Sequence, residues 1–259
     1  MIKTYKSINI LGSNIHKLTI QDVIGEIESA LNNQTPLTIT ALNPDKINQT
    51  LRQPSLRAMY GQFDIVAPDS IGVLLAARIL HNPLMNERIG GDILSPHLYE
   101  MAKHRNIRFY FLGGKEGIAK QAANKITQAY PWLNIVGVHN GYFDQNENTH
   151  IIRQINQLSP NIVFVGLGAP LENTWIVSNA LHIRPCVLIT MGGYFDHVLR
   201  RIDCYPKWVN YLKINWLYRL CSEPKRLWRR YLVGNPLFLL RILKHHLFNS
   251  TNSPQENAI

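Results

Sequence analysis

The chain has 259 residues and a formal net charge of +10, and 46% of its residues are hydrophobic. This is enough for a real core in one large α/β domain, or in a domain with an appendage. Three widely spaced cysteines argue against a disulfide framework and a Cys/His metal motif. No run approaches the roughly 18 apolar residues of a membrane span, and the first residues lack the apolar stretch of a signal peptide. We therefore expect a cytoplasmic protein, attached at most to a membrane surface.

Short apolar, β-branched runs alternate along the chain with segments of helical periodicity. Because continuous apolar strands are buried on both faces, these runs predict a parallel sheet. The alternation predicts an α/β fold, a Rossmann-like open and mostly parallel sheet flanked by helices. The predicted strands are Leu37–Asn43, Phe63–Asp69, Ile107–Gly114, Asn134–Phe143, Asn161–Pro170 and Cys186–Phe195. The predicted helices are Ile20–Leu31, Ile71–Leu80, Asp92–His104, Gly117–Tyr130 and Thr149–Leu158.

The positive charge is concentrated near the C-terminus. Between Arg200 and Asn249 there are eleven Lys or Arg and two acidic residues, which gives +9 of the whole-chain +10, together with three of the five tryptophans. An anionic membrane surface is the favoured partner, since Lys and Arg attract its headgroups and Trp and Tyr settle among them. Nucleic acid is the second candidate. A helical subdomain packed on the sheet is the plainer interpretation, and both can hold together.

These patterns divide the chain into three parts. We predict a Rossmann-like domain over residues 1–199 and a basic, aromatic-rich helical appendage over residues 200–248. The polar tail, residues 249–259, is predicted to be disordered.

Glycines follow several predicted strands, at the edge where an open α/β sheet binds its ligand. For any single glycine, turn formation is the better explanation. Taken together with the helices that follow, their backbone amides suit a phosphate or diphosphate. Gly166-x-Gly168 lacks the third glycine of a dinucleotide fingerprint, and the run from Gly113 to Gly117 lacks the Gly-Lys-Ser/Thr of a P-loop. A dehydrogenase and an NTPase are therefore weak hypotheses.

Asp69 is the most suggestive carboxylate, because it lies between an apolar strand and a predicted helix. It can cap that helix, which is the better explanation for the residue alone, or it can act as a general base. Asp92 can likewise cap the next helix. Arg88 can pair with a diphosphate, or form an ion pair with Glu87 or Asp92.

Several short motifs occur in a specific order along most of the chain. In that order and spacing they resemble the WecG/TagA/CpsF family of bacterial glycosyltransferases. The motifs are Thr40-x-x-Asn43-Pro44, Asp69, Glu87-Arg88-Ile89-Gly90-Gly91-Asp92, Phe111-Leu112-Gly113-Gly114, Gly141-Tyr142-Phe143, Gly166-Leu167-Gly168-Ala169-Pro170, Gly192-Gly193-x-Phe195-Asp196, and Trp216-Leu217-Tyr218-Arg219-Leu220 followed by Glu223-Pro224-x-Arg226.

The resemblance implies an inverting hexosyltransferase that needs neither a cofactor nor a metal. It would move a sugar, N-acetylmannosamine or a related hexose, from a UDP-sugar to a sugar on polyprenyl diphosphate at the inner face of the cell membrane, in cell-surface polysaccharide synthesis. The family's base falls on Asp69 and a supporting polar residue on Thr40. Donor contacts are expected at Asn43, Arg88, Gly90, Asp92, Gly113, Gly114, Tyr142, Gly166, Gly168 and Glu172. Appendage contacts with the acceptor and membrane are expected at Arg219, Arg226, Arg229 and Trp216.

The chain departs from the family pattern close to the expected sugar site. Glu172-Asn173 replaces the usual Gln-Glu, Ser70 replaces the glycine after the base, and Asn215 replaces a glutamate. Two alternatives therefore stay open. One is an inactive UDP-sugar-binding scaffold in a polysaccharide assembly complex, and the other, less favoured, is a nucleic-acid-binding protein. We expect no nucleic-acid partner, and the sequence leaves homo-oligomerisation open.

Overall fold

The computed structural model describes residues 5–81, 85–212 and 214–251. It begins with a β-hairpin that the sequence analysis did not predict, formed by β1 (Ser7–Ile10) and β2 (Ser13–His16). Leu11 and Gly12 make the tight turn, both with positive φ. This conformation matches the twist of two adjacent antiparallel strands.

A six-stranded parallel sheet forms the centre of the protein, as predicted. Its order is β4-β3-β8-β7-β5-β6, and each neighbouring pair is parallel. The strands are β3 (Leu37–Leu42), β4 (Ile65–Pro68), β5 (Arg108–Gly113), β6 (Asn134–His139), β7 (Ile162–Gly166) and β8 (Val187–Thr190). All six predicted strands are confirmed. Three of them, β6, β7 and β8, end several residues earlier than predicted, because glycine-rich loops follow these strands.

Nine α-helices precede the appendage in the described residues. They are α1 (Ile20–Asn33), α2 (Pro44–Arg52), α3 (Pro54–Tyr60), α4 (Ile71–His81), α5 (Gly91–Lys103), α6 (Ile118–Ala129), α7 (Gln145–Leu158), α8 (Leu171–Asn179) and α9 (Tyr194–Arg200). The five predicted helices are confirmed as α1, α4, α5, α6 and α7. Helices α2, α3, α8 and α9 were not predicted, because they are short and follow strands or turns closely.

The core consists of two apolar layers, one on each face of the sheet. Side chains alternate along each strand, so Phe109 and Phe111 face one layer while Tyr110 and Leu112 face the other. Helices α1, α5, α6 and α9 cover the first face. The hairpin and helices α2, α3, α4, α7 and α8 cover the second. This burial on both faces explains why the strands lack polar alternation.

The appendage is helical, as predicted. It contains α10 (Lys207–Tyr211), α11 (Asn215–Ser222), α12 (Pro224–Trp228), a π-helical turn (Arg229–Gly234) and α13 (Asn235–Thr251). Helix α13 buries Phe238 and Ile242 in the second core layer. It continues past residue 248, where the tail was expected to begin, and residues 252–259 lie outside the described part.

The appendage is also held to the domain by polar contacts. Asn48 on α2 donates to the carbonyl of Gly234 (2.9 Å), and Arg230 lies 3.7 Å from Asp45. Of the helices in the described residues, none combines the length and apolar character that crossing a bilayer requires. The appendage thus packs on the domain and reaches the carboxyl edge of the sheet.

Candidate active site

A cavity of about 920 Å³ opens at the carboxyl ends of β3, β4, β7 and β8. One wall is formed by the loops that follow these strands, and the other by α11, α12 and the π-helical turn of the appendage. This is the edge at which open α/β sheets bind ligands. The volume lies within the range of small-molecule sites.

Asp69 lies in the cavity wall directly after β4. Its backbone N–H donates to the Leu42 carbonyl (2.8 Å), which continues the pairing of β3 with β4. Helix α4 is not capped by Asp69, because the Ser70 hydroxyl accepts the Val73 N–H (3.2 Å) in that role. The Asp69 carboxylate instead lies 3.4 Å from Nη1 of Arg88 and 3.5 Å from Nδ2 of Asn43. Its side chain stays 27% exposed, so a ligand in the cavity can reach it.

Arg88 joins Asp69 to Asp92. Its guanidinium makes a bidentate pair with the Asp92 carboxylate, with distances of 3.1 and 2.6 Å. Burial alone would lower the pKa of Arg88, but the carboxylates of Asp92 and Asp69 raise it above the ordinary value. Asp92 is therefore an ion-pair partner rather than the helix cap. Glu87 is engaged elsewhere, since it accepts the Ile20 N–H (2.7 Å).

Gly90 makes this cluster possible. A β-carbon on this residue would collide with Oδ1 of Asp69 and approach Oδ1 of Asp92 and Nη1 of Arg88 within 3.0 Å. The backbone of Gly90 is thus a surface against which the three side chains pack. The missing side chain of Gly90 thus lets these three side chains come together, and the backbone of Gly90 is still compatible with a contact to the donor.

Thr40 lies below the cavity floor. Its side chain is 1% exposed, and its hydroxyl oxygen accepts hydrogen bonds from Asn173 (2.7 Å) and Thr190 (3.1 Å). Thr190 lines the cavity. Thr40 is therefore linked by a hydrogen bond to Thr190 in the cavity wall.

Glu172 ties two strand-end loops together from inside. It is 1% exposed, and one carboxylate oxygen accepts the backbone N–H groups of Gly168 (3.2 Å) and Gly192 (2.8 Å). The other oxygen lies 3.7 Å from Nζ of Lys46. Burial raises the pKa of Glu172, while Lys46 and the two backbone amides work against that rise. Asn43 and Gly168 stand beside this pair in the wall.

The other predicted donor residues lie on a different part of the edge, at the ends of β5, β6 and β7. Gly114 donates to the Gly166 carbonyl (3.2 Å), and Gly141 donates to the Gly114 carbonyl (2.8 Å). Gly113 has φ +149° and its α-carbon faces Gly166 so closely that a β-carbon would collide. Tyr142 is 73% exposed. Gly113, Gly114, Gly166 and Tyr142 are thus not brought to the cavity with the other predicted residues.

The appendage supplies the four residues predicted for it. Trp216, Arg219, Arg226 and Arg229 all line the cavity. Arg226 pairs with Glu223 (2.6 Å), and the Arg229 guanidinium lies 5.2 Å from the centre of the Trp228 ring. Cations and aromatic rings therefore meet at the cavity mouth.

Some lining residues were not predicted, among them Lys46, Tyr205 and His197. Lys46 could have been found, since it follows the strand-end motif Asn43-Pro44 within one helical turn. His197 could not, because helix α9 was not predicted, and Tyr205 lies in the irregular segment between α9 and α10. In the described ranges, no three His, Cys, Asp or Glu side chains are grouped so as to hold a metal ion.

A parallel sheet with a large, charged cavity at its strand ends defines an α/β protein with a ligand site at that edge. The model of the glycosyl transferase WecG/TagA/CpsF family matches residues 8–252, and the chain belongs to this family. It is therefore a glycosyltransferase.

Curated relatives share the name N-acetylglucosaminyldiphosphoundecaprenol N-acetyl-beta-D-mannosaminyltransferase. The chain is 30% identical to the one from Bacillus subtilis (strain 168) over 218 residues, which cover 84% of this chain and 83% of the relative. It is 29% identical to the one from Bacillus spizizenii over 209 residues, which cover 80% of this chain and 79% of the relative. It is 26% identical to the one from Staphylococcus aureus (strain MW2) over 239 residues, covering 92% of each.

Proposed function

We propose that this chain transfers N-acetylmannosamine or a related hexose from a UDP-sugar to a sugar carried on polyprenyl diphosphate. The reaction inverts the anomeric carbon, uses no metal, and belongs to cell-surface polysaccharide synthesis. The names of the relatives support the acceptor, since they describe mannosaminyl transfer to an N-acetylglucosaminyl diphosphoundecaprenol. The observation that carries the proposal is the accessible Asp69 carboxylate in a cavity shared by the sheet edge and the basic appendage.

Asp69 is the general base in this proposal. The acceptor hydroxyl gives its proton to the Asp69 carboxylate while its oxygen forms a bond to the anomeric carbon of the donor. The bond from that carbon to the UDP oxygen breaks, and UDP leaves with the electron pair. An α-linked donor thus gives a β-glycoside. Arg88, with the long 3.4 Å contact, holds the carboxylate in place without covering it, because its short bonds go to Asp92.

The growing negative charge on UDP needs positive partners. Arg219, Arg226 and Arg229 line the cavity on the side of the appendage. Guanidinium groups bind diphosphate oxygens in bidentate geometry and stabilise the leaving group as its charge develops. This set of cations is our reason to propose a reaction without a divalent metal.

The appendage also places the enzyme on the membrane that holds its acceptor. Leu240, Leu243 and Leu247 are spaced i, i+3 and i+7 on α13 and stay 63%, 46% and 64% exposed. They form an apolar stripe on the face opposite the buried Phe238 and Ile242. With the basic charge of the same segment, this stripe supports peripheral binding to an anionic bilayer surface.

The test of the reaction is UDP release from a panel of UDP-sugars, with a short-chain polyprenyl-diphosphate-GlcNAc acceptor, with and without EDTA. We expect release that requires the acceptor, favours one donor and is unchanged by EDTA. Loss of release in EDTA, restored by added Mg²⁺, contradicts the metal-free mechanism. Binding of UDP without turnover on any acceptor favours the scaffold alternative.

The test of the membrane contact is sedimentation with vesicles containing anionic lipid. We expect the full chain to sediment, and the triple variant Leu240→Gln, Leu243→Gln, Leu247→Gln to stay largely in solution. Leu181→Gln, at a leucine outside the appendage that is 95% exposed, is the control. Equal sedimentation of the triple variant contradicts the role of this stripe.

A further inference from the structure

Two buried nitrogens in the cavity wall are left without a hydrogen-bond partner among the described residues. They are Nε2 of His197 on α9 and Nε of Arg219 on α11. Both residues line the same cavity. Buried polar atoms are nearly always paired, and those that are not commonly mark a place where a ligand or ion completes the pairing.

His197 lies close to the carboxyl edge of the sheet, beside the turn that follows β8. A β-carbon on Gly193 would lie 3.8 Å from Nε2 of His197, so this nitrogen faces the turn that follows β8. Gly192, one residue earlier, holds Glu172 through its N–H (2.8 Å). His197 thus stands between the sheet edge and the appendage, where the two walls of the cavity meet.

The surroundings of His197 are strongly positive. Burial and then Arg219 lower the pKa of His197 to about 4, and Arg200 and Arg226 add to the effect while Glu223 opposes it. On the other side of α9, Lys125 donates to the Leu199 carbonyl (2.8 Å). The imidazole is therefore neutral at pH 7 in the free site, next to cations that repel its protonated form.

We propose that His197 and Arg219 together bind a phosphate group of the nucleotide donor, and that His197 takes up a proton as this group binds. The inference rests on the proposed function for the identity of the donor. A negatively charged phosphate group next to the imidazole offsets the repulsion from the surrounding arginines and favours the imidazolium. Arg219 Nε–H and the protonated Nε2–H of His197 then donate to phosphate oxygens. Both unpaired nitrogens are satisfied by one ligand.

The sign of the pH dependence follows from this linkage. The free site binds no extra proton at pH 7, whereas the occupied site does, so affinity for the phosphate increases as the pH falls from 8 toward 6. The terminal phosphate of UDP itself takes up a proton near pH 6, which acts in the opposite direction. A variant without the imidazole experiences only this second effect, so the difference between the two proteins isolates His197.

The experiment is calorimetric titration of the full chain with UDP and with uridine, in two buffers of different ionisation enthalpy at pH 7. Wild type is compared with His197→Gln and with His150→Gln, a control at an exposed histidine on α7. We expect His197→Gln to weaken UDP binding about tenfold, as for the loss of a hydrogen bond to a charged group. We also expect it to abolish the proton uptake. Uridine affinity and the control variant should not change.

The outcomes separate the inference from the proposed function. If UDP binds equally well and with equal proton uptake to wild type and His197→Gln, the role of His197 is wrong while the UDP site stands. If wild type binds neither UDP nor uridine, the proposed donor is wrong. A thermal melt of each variant shows whether a loss of binding reflects loss of the fold.

Discussion

The two halves of the carboxyl edge of the sheet are built differently. On the side of β4, β3 and β8, the strands run into charged and hydrogen-bonding side chains that surround a cavity of about 920 Å³. On the side of β5 and β6, they run into glycines whose backbones bond to one another, as Gly114 does to Gly166 and Gly141 to Gly114. The comparison teaches that a glycine at a strand end can serve close packing of loops as well as a ligand.

The two halves differ because one contains paired charges that remain exposed, while the other contains closely packed backbone. The polar half keeps Asp69 partly exposed and surrounds it with Arg88, Asn43 and Asp92, so its charges are paired but reachable. In the glycine half, a side chain at Gly113 would displace the Gly166 backbone. We therefore propose that the chemistry takes place in the polar half, and the activity measurements below test that location.

The largest effect is expected from Asp69→Asn. This change removes the proposed base and keeps the shape, while Arg88 remains held by Asp92. Turnover should fall by about 10²–10⁴-fold with little change in Tm. The measurement is the rate of UDP release at saturating donor and acceptor.

Its matched control is Asp64→Asn, at the opposite end of the same strand, where the carboxylate accepts the Thr38 N–H (2.8 Å) and hydroxyl (2.7 Å). Asp64→Asn should lower stability and leave turnover per folded molecule unchanged. Near-normal turnover in Asp69→Asn would remove Asp69 from the role of base.

The second largest loss of turnover is expected from Gly90→Ala. The added methyl group must push apart Asp69, Asp92 and Arg88, and a displacement of about 1 Å can cost on the order of 10²-fold in rate. The control is Gly25→Ala in α1, where a β-carbon would meet none of the described atoms within 4 Å and helix propensity improves. Equal activity in the two variants would show that the close contact at Gly90 does not matter.

A smaller effect is expected from the buried Lys46–Glu172 pair in the cavity wall. Lys46→Met leaves the Glu172 carboxylate with two backbone donors but no cation, and should lower the stability by about 3 kcal/mol. Glu172→Gln should also destabilise. The double variant should recover much of the loss, since a neutral amide at position 172 needs no cation beside it. Denaturant unfolding of the four proteins gives the coupling energy; strictly additive effects would show that the pair is not coupled.

The fold was largely predictable from the sequence, and the site only in part. Apolar runs such as Ile162–Gly166 predict buried strands because burial on both faces leaves no polar alternation. The hairpin at Leu11-Gly12 was not predicted, since its strands are four residues long and mixed in character. Short helices such as α9 depend on tertiary packing rather than on periodicity, so the residues they carry, His197 above all, were not predicted either.

Within the site, sequence order predicts which loops meet at the sheet edge but not which side chain does what. Asp69 and Ser70 are adjacent, and only the structure shows that Ser70 caps α4 while Asp69 faces Arg88. Likewise, the glycines that follow β5 and β6 resemble in sequence those that follow β8. What separates them is the position of their strands in the sheet, which depends on the crossover connections rather than on local residues.

Tyr142→Ala should have the smallest effect on activity, and it tests where the boundary between the two halves of the sheet edge lies. The ring is 73% exposed at the end of the glycine half, so its removal costs little packing. If the polar half alone forms the site, kcat and the KM for the donor should each change less than about threefold, well under the 1.4 kcal/mol that a tenfold change represents. A rise of tenfold or more in the donor KM, with Tm unchanged, would mean that the bound donor extends across β7 to the ends of β5 and β6. In that case the packed glycines would form part of the donor site as well, and the boundary between the two halves would have to be moved.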